Sequence, residues 1–322
     1  MIVFTCVNKE SEDAAVIWAA SLSKALKGGN GGVKTYMFHT PDVNVSRFTD
    51  FNVFCVSIGD MSNLTRKEVL VKVLDMMHER SFGEKVFYTD TDVLWQNHLD
   101  ELKSAPLNGK VWLAARNDLV FYDQERNKKF YPHYDPEFER KLMIHPDGYL
   151  NSDVLYIFLE GMYTALRSKG FTSMDEFYQQ CKAKNNYSVE DCFNLIAGEY
   201  VNLFDRYNAF AEDVFELDFG EMLGRRADIR NSHLINFRGI HKPWRECSDF
   251  DLPELAGAQY PYDFYLAACE MFRTYITTDF LEKVRANAKR YSLINDWDRE
   301  ILAKSGPLKK KLAEFKEQLK NQ

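Results

Sequence analysis

Two carboxylates, Asp90 and Asp92, stand two residues apart in the run VFYTDTDVLW. Residues i and i+2 of an extended segment point the same way, so the pair can share one divalent cation. Hard oxygen ligands of this kind suit Mn²⁺ or Mg²⁺, which bridge protein carboxylates and substrate phosphates. The pair follows the apolar run Lys85–Thr89 and precedes Val93, Leu94 and Trp95. An accidental acidic loop has no reason to lie between two core segments. Three later segments carry matching chemistry. In GYLNSDVLYI, Asn151 and Ser152 open an apolar run with groups able to hydrogen-bond sugar hydroxyls. In SVEDCFN, Glu190 and Asp191 fall at a helix start, where a carboxylate either complements the helix dipole or faces a reacting centre. HLINFRGIHKPWR brings Gly239, which lets backbone approach a phosphate, and Lys242, which adds a compact positive charge.

The elements that must position these groups follow from hydrophobic period. Apolar, β-branched and aromatic runs at 2–6, 33–38, 51–58, 85–88 and 110–115 alternate with helical-period stretches at 13–26 and 66–77. That alternation predicts an α/β fold with parallel strands and crossover helices, doubly wound over residues 1–115. In an open parallel sheet, ligands bind beyond the carboxyl ends of the strands, where Asp90 and Asp92 fall. The polar, aromatic stretch 116–148 predicts a loop or lid, with Tyr122, Tyr131, His133 and Tyr134 offering ring faces to a sugar or base. A strand at 149–158, helices near 173–182 and 188–198, and a strand at 233–237 come next. From 262 onward the pattern is helical, which divides the chain into an α/β domain over 1–260 and a helical extension over 261–322.

Composition removes several classes. With 41 Lys and Arg against 48 Asp and Glu, the net charge of −7 gives no basic field for nucleic acid. Apolar residues at 45% and charged residues at 28% exclude a disordered or fibrous chain. Cys6, Cys55, Cys181, Cys192, Cys247 and Cys269 form no CxxC and no metal-ligand spacing, as expected of free thiols in a reducing compartment. MIVFTCVNKE reads as a strand rather than a signal peptide, and no uncharged apolar run reaches the ~18 residues of a membrane span. The expectation is a cytoplasmic protein. In SGPLKKKLAEFKEQLKNQ, Leu308, Leu312, Phe315 and Leu319 line one face of a basic amphipathic helix. Such a helix rests on the inner face of a membrane or packs on its own domain.

Taken in order, strand-DxD, N-[SA]-x-V-L-x-I, an acidic pair before F-N, and G-x-x-K-P-W, the motifs resemble the retaining glycosyltransferases of family 8 over residues 1–245. That family includes glycogenin and bacterial lipooligosaccharide galactosyltransferases. The resemblance implies a GT-A fold, a mostly parallel Rossmann-like sheet with flanking helices, and a UDP-sugar donor. It also implies a Mn²⁺ (or Mg²⁺) ion and transfer of a hexose, with retention, to a glycan or lipid-linked oligosaccharide acceptor. By the same resemblance, Asp90 and Asp92 hold the metal, with Asp90 also near the donor ribose or sugar. Asp118, Asn151 and Ser152 contact the donor sugar, Gly239 and Lys242 the diphosphate, and Lys72 approaches the donor. Thr5, Val7 and Asn8 line the uracil pocket. Three positions depart from the family pattern. Asn236 replaces the third metal ligand, a histidine; its amide oxygen can coordinate, and His233 and His241 are alternatives. Asp153 replaces a glycine and either joins the donor-sugar pocket or turns into the core network. Glu190 takes the place of an amide. Glu190 or Asp191 is the candidate nucleophile or electrostatic stabiliser of an oxocarbenium-like state. Two other readings use the same residues: a nucleotide-sugar-binding protein without turnover, prompted by Asn236 and Asp153, and self-glucosylation on a tyrosine. A sugar nucleotidyltransferase needs a Gly-rich phosphate loop, and residues 4–12 contain no glycine.

Overall fold

The structure, a computed structural model, describes residues 1–27, 32–61, 63–100, 102, 106–108, 111–118, 149–197, 200–203, 207–211, 229, 231–237, 242–245 and 259–289. Strands β1 (Ile2–Val7), β2 (Lys34–His39), β3 (Val53–Ser57) and β4 (Lys85–Thr89) form a parallel layer in the order β3-β2-β1-β4. Helices α1 (Glu12–Leu26) and α2 (Arg66–Glu79) lie in the connections. Alternate residues of the strands serve opposite faces. Val3, Val7 and Phe87 join the core of α1, whereas Ile2, Phe4, Cys6, Val86 and Tyr88 join that of α2. Burial on both faces explains why these strands read as unbroken apolar runs.

Beyond β4 one strand of the sheet is reversed. β6 (Leu113–Asp118) and β7 (Tyr149–Phe158) run antiparallel to each other, and β7 pairs antiparallel with β4. A short β8 (Val201–Asn202) joins β6 in parallel and completes seven strands in the order β3-β2-β1-β4-β7-β6-β8. β6 therefore runs in the same direction as β1–β4, as expected over residues 1–115, as does β8, and β7 alone is reversed. Apolar period reports burial, not strand direction, which depends on the connection. β6 also continues through Arg116, Asn117 and Asp118, residues expected at the start of a loop.

β5 (Val93–Trp95) leaves the main sheet and pairs antiparallel with β10 (Leu234–Asn236), which pairs in parallel with β9 (Ala209–Phe210). Helices α3 (Leu159–Ser168), α4 (Met174–Asn185) and α5 (Val189–Ile196) pack with α2 on one face. On the other, Tyr262 and Tyr265 of α6 (Gln259–Met271) and Phe280 and Val284 of α7, residues 278–289, share the core of α1. Trp244 packs between Tyr265 and Phe280, with ring centroids 5.3 and 5.4 Å away. No described helix is long and apolar enough to cross a membrane. The aromatic stretch 119–148, Gly239, His241 and the basic run 305–322 lie outside the described residues.

Candidate active site

β4 delivers the acidic pair. Trp18 of α1 donates its indole N–H to Thr89 Oγ1 at 2.6 Å and fixes the end of the strand. The Asp90 N–H then donates to the Asp153 carbonyl at 2.8 Å, and the Phe237 N–H donates to the Asp92 carbonyl at 2.9 Å. Residues 90–92 are thus suspended between β7 and the end of β10. The two side chains are buried rather than solvent-facing, with Asp90 4% and Asp92 2% exposed.

Three basic side chains meet them. Asp90 Oδ1 accepts from the Tyr88 hydroxyl, while Oδ2 lies 3.3 Å from Lys67 Nζ and 4.0 Å from Arg66 Nη2. Asp92 Oδ2 pairs with Lys242 and lies 3.5 Å from Arg66 Nη2. Burial pushes the Asp90 carboxyl up, against the pull of Lys67 and Arg66. Burial pulls both bases down, yet Asp153, Asp90 and Glu190 carry Lys67 above its ordinary value, and Asp90 and Asp92 do the same for Arg66. Both stay charged.

Arg66 and Lys67 are the site residues that sequence reasoning missed. They occupy the first turn of α2, after a capping box in which the Glu68 N–H donates to Thr65 Oγ1 at 3.3 Å and the Thr65 N–H donates to Glu68 Oε2 at 2.8 Å. Two cations at a helix N-terminus oppose the helix dipole, and that anomaly is the signal. Lys72, expected near the donor, instead pairs with Asp175 of α4 at 2.8 Å. At about 100° per residue, five positions turn it roughly 140° away from Lys67.

Asn151, Ser152 and Asp153 sit where the β6–β7 register breaks: Ala115 pairs with Leu155, but Arg116 pairs with Asn151. Residues 152–154 are left out of that pairing, an irregularity of the kind that re-aims side chains at sites. Asp153 turns inward. Its Oδ1 takes Lys67 at 2.8 Å, and its Oδ2 accepts from Asn151 and Asn236 amides, each at 3.3 Å. Asn236 also donates to Asn208 Oδ1 at 3.0 Å, and Asn208 to Asn151 Oδ1 at 3.4 Å, giving a chain of amides across β7, β9 and β10. Arg116 donates to the Asn208 carbonyl at 2.6 Å and lies 3.7 Å over the Phe210 ring. Asp118 ends β6, in register with Tyr149.

Glu190 and Asp191, neighbours at the start of α5, part company. Glu190 Oε2 accepts from both the N–H and the hydroxyl of Ser152 at 2.7 Å. Burial and the Asp153 charge push its carboxyl up to about 7, against Lys67 and the Ser152 hydrogen bonds. Asp191, expected beside the reacting face, is instead a helix cap. Its Oδ2 accepts from the Ser188 N–H at 2.7 Å and hydroxyl at 2.8 Å, and its Oδ1 from the Tyr149 hydroxyl at 2.7 Å. The S-x-x-D spacing that forms this capping box stands in the sequence.

At the end of β1, Cys6, Val7 and Asn8 line a small open cleft with Thr40, Met61, Leu64, Arg66 and Val69. Thr5 does not reach the lining; it is fully buried below it. Arg66 belongs to both the cleft and the acidic pair, so the two are contiguous.

Two buried oxygens, Asp92 Oδ1 and Asn236 Oδ1, have no hydrogen-bond partner. They stand on neighbouring segments, because Asn236 is the register partner of Val93. Buried acceptors without donors are rare, and two oxygens placed this way fit a hard divalent cation. Among the described residues no three His, Cys, Asp or Glu side chains form a metal site. His233 is engaged elsewhere, its Nδ1 2.5 Å from the His98 carbonyl and its ring stacked on Tyr207.

No family model and no curated protein matches the sequence. Solved structures do match. The galactosyltransferase LgtC, in complex with donor and acceptor sugar analogs, has a TM-score of 0.58 at 14% identity, covering 88% of this chain and all of that one. Its active-site variant with glutamine changed to glutamate scores 0.53 at 16% identity, over 82% and 96%. The bifunctional glycosyltransferase WbbM scores 0.54 at 16% identity over 76% of this chain, which spans only 46% of WbbM. With its mixed, mostly parallel sheet, flanking helices and C-terminal helices, the chain has the fold of the GT-A glycosyltransferases.

Proposed function

We propose that the protein is a retaining glycosyltransferase that moves a hexose from a UDP-sugar to a glycan or lipid-linked acceptor. One observation carries this reading: a buried DxD pair at the end of β4, with an unpartnered Asp92 oxygen beside another on Asn236, is joined through Arg66 to a cleft at the end of β1. Asp90, Asp92 and Asn236 would hold Mn²⁺ or Mg²⁺, which supplies positive charge where the leaving diphosphate gains negative charge. The chain's own residues do the rest. Val7 and Asn8 face the base, Lys242 and the Gly239 backbone the diphosphate, and Arg66 joins the two. Asn151, Ser152 and Asp118 border the donor sugar, and the Lys67–Asp153 pair stiffens that border from behind.

Glu190 is the carboxylate of the reacting face, as nucleophile or as electrostatic stabiliser. Either role requires it ionised, so activity rises through about pH 7 as it loses its proton. A cytoplasmic location, with residues 305–322 at the inner face of a membrane, belongs to the same reading. The decisive experiment is UDP release from UDP-glucose, UDP-galactose and UDP-N-acetylglucosamine, with GDP-sugars as controls, with and without Mn²⁺. Metal-dependent release from one UDP-sugar is expected. A second reading, a nucleotide-sugar-binding protein without turnover, is favoured by the three side-chain cations already on the acidic pair. UDP binding with neither hydrolysis nor transfer under Mn²⁺ would establish it.

A further inference from the structure

Of the four carboxylate oxygens of Asp90 and Asp92, three are engaged by Tyr88, Lys67, Arg66 and Lys242, and Asp92 Oδ1 alone has no donor. A divalent cation that takes oxygen from both carboxylates must compete with those side-chain cations. The three cannot leave equally well. Arg66 stands in a capped helical turn and also donates to Thr91 Oγ1 at 2.6 Å. Lys67, beside it, also donates to the Ser152 carbonyl at 2.7 Å and Asp153 at 2.8 Å. Lys242 is held, among the described residues, by Asp92 alone. Its backbone is fixed: the Arg245 N–H donates to the Lys242 carbonyl at 3.0 Å, and the Asn287 amide donates to the Pro243 and Arg245 carbonyls at 2.7 Å. A flexible four-carbon stem on a fixed base can move its charge by several ångströms without moving the chain.

We propose that Lys242 is an exchangeable counter-ion, which neutralises Asp92 until a divalent cation binds and then passes to the diphosphate of the nucleotide. This rests on the donor reading above. A metal arriving alone must displace Lys242 with no anion to receive it, so it binds weakly. The nucleotide provides that anion. Metal and nucleotide therefore strengthen each other's binding by one common factor, as linkage requires.

The test is isothermal titration of the full chain with Mn²⁺, with UDP, and with Mn²⁺ at saturating UDP, correcting for the Mn²⁺–UDP complex in solution. The same set is run on Lys242→Met and Lys242→Arg. In the unmodified protein, UDP is expected to tighten Mn²⁺ binding at least tenfold. Lys242→Met, similar in length but uncharged, is expected to bind Mn²⁺ alone at least tenfold more tightly, with the coupling to UDP reduced; Lys242→Arg keeps the coupling. Equal Mn²⁺ affinity with and without UDP in the unmodified protein overturns the exchange and leaves the donor reading standing. So does a Lys242→Met variant whose affinity for Mn²⁺ alone is unchanged or weaker. Absence of UDP binding under every condition overturns both. If Lys242→Met does not fold, Lys242→Gln, which also removes the charge, takes its place with the same expected and overturning results.

Discussion

Two acid pairs in this molecule sit under basic side chains, and they are finished differently. Glu12 and Asp13, at the start of α1, have every carboxylate oxygen engaged. Glu12 Oε1 takes Arg47, and Oε2 takes Lys9 at 2.7 Å and the Asn44 N–H at 3.1 Å. Asp13 takes Arg47 and the Thr277 N–H at 2.9 Å on one oxygen and the Thr277 hydroxyl at 2.7 Å on the other. Arg47 also donates its Nε–H to the Tyr275 carbonyl at 2.9 Å. Asp90 and Asp92, buried like Glu12 and more deeply than Asp13, keep one oxygen without a donor, beside a second on Asn236. The titration follows suit. Burial raises both Glu12 and Asp90, but Lys9 and Arg47 outweigh it for Glu12, which falls below its ordinary value, while Asp90 stays above. A cluster that only holds segments together satisfies all its groups, because each orphan costs about 1–3 kcal/mol. A cluster that leaves groups unsatisfied keeps capacity for a ligand.

The comparison can be broken in four places. The largest effect is expected of Asp92→Asn, which removes the charge but not the shape: UDP release should fall about 10²-fold or more while the protein remains folded by circular dichroism. Undiminished release would leave the acidic pair with no catalytic part. Arg47→Ala should do the opposite, costing about 3 kcal/mol in urea unfolding by stranding Glu12 and Asp13, with UDP release per folded molecule preserved. Loss of release in the folded protein would join the two clusters functionally. Asp191→Ala, as a cap, should cost about 1–2 kcal/mol of stability and little activity. A folded Asp191→Ala protein with release abolished would return Asp191 to the reacting face.

The fourth place concerns Glu190. Its carboxyl is raised to about 7 from an ordinary 4.5, so its contribution to stability is complete below about pH 4.5 and is lost as pH rises through 7. Glu190→Gln does not titrate. The stability of the unmodified protein relative to this variant should therefore fall between pH 5 and 8, by denaturant titration at each pH. A difference independent of pH would contradict the raised value.

Much of this was legible along the chain. The apolar runs at 2–6 and 85–88 coincide with β1 and β4 to within a residue or two, because burial on both faces leaves an apolar signature, and the strand expected at 149–158 is β7. The position of Asp90 and Asp92 at a strand end followed from that. The reversal of β7 did not, because direction is a property of connections. Glu190 and Asp191 were indistinguishable by type. The capping-box spacing favoured Asp191 as the cap, and only the packing of α5 against β7 put Glu190 on Ser152.

By itself, the sequence determined the alternating layer, the placing of two carboxylates beyond β4, and an acidic balance that excludes a nucleic-acid surface, since these rest on local period and composition. The tertiary structure decided which cations answer those carboxylates. The fold brings Arg66 and Lys67 from 26 and 25 positions upstream and Lys242 from 150 positions downstream of Asp92. Buried charges require compensation at a distance of a few ångströms. That distance is set by how α2, β4 and the segment after β10 pack, and no run of neighbouring residues encodes it.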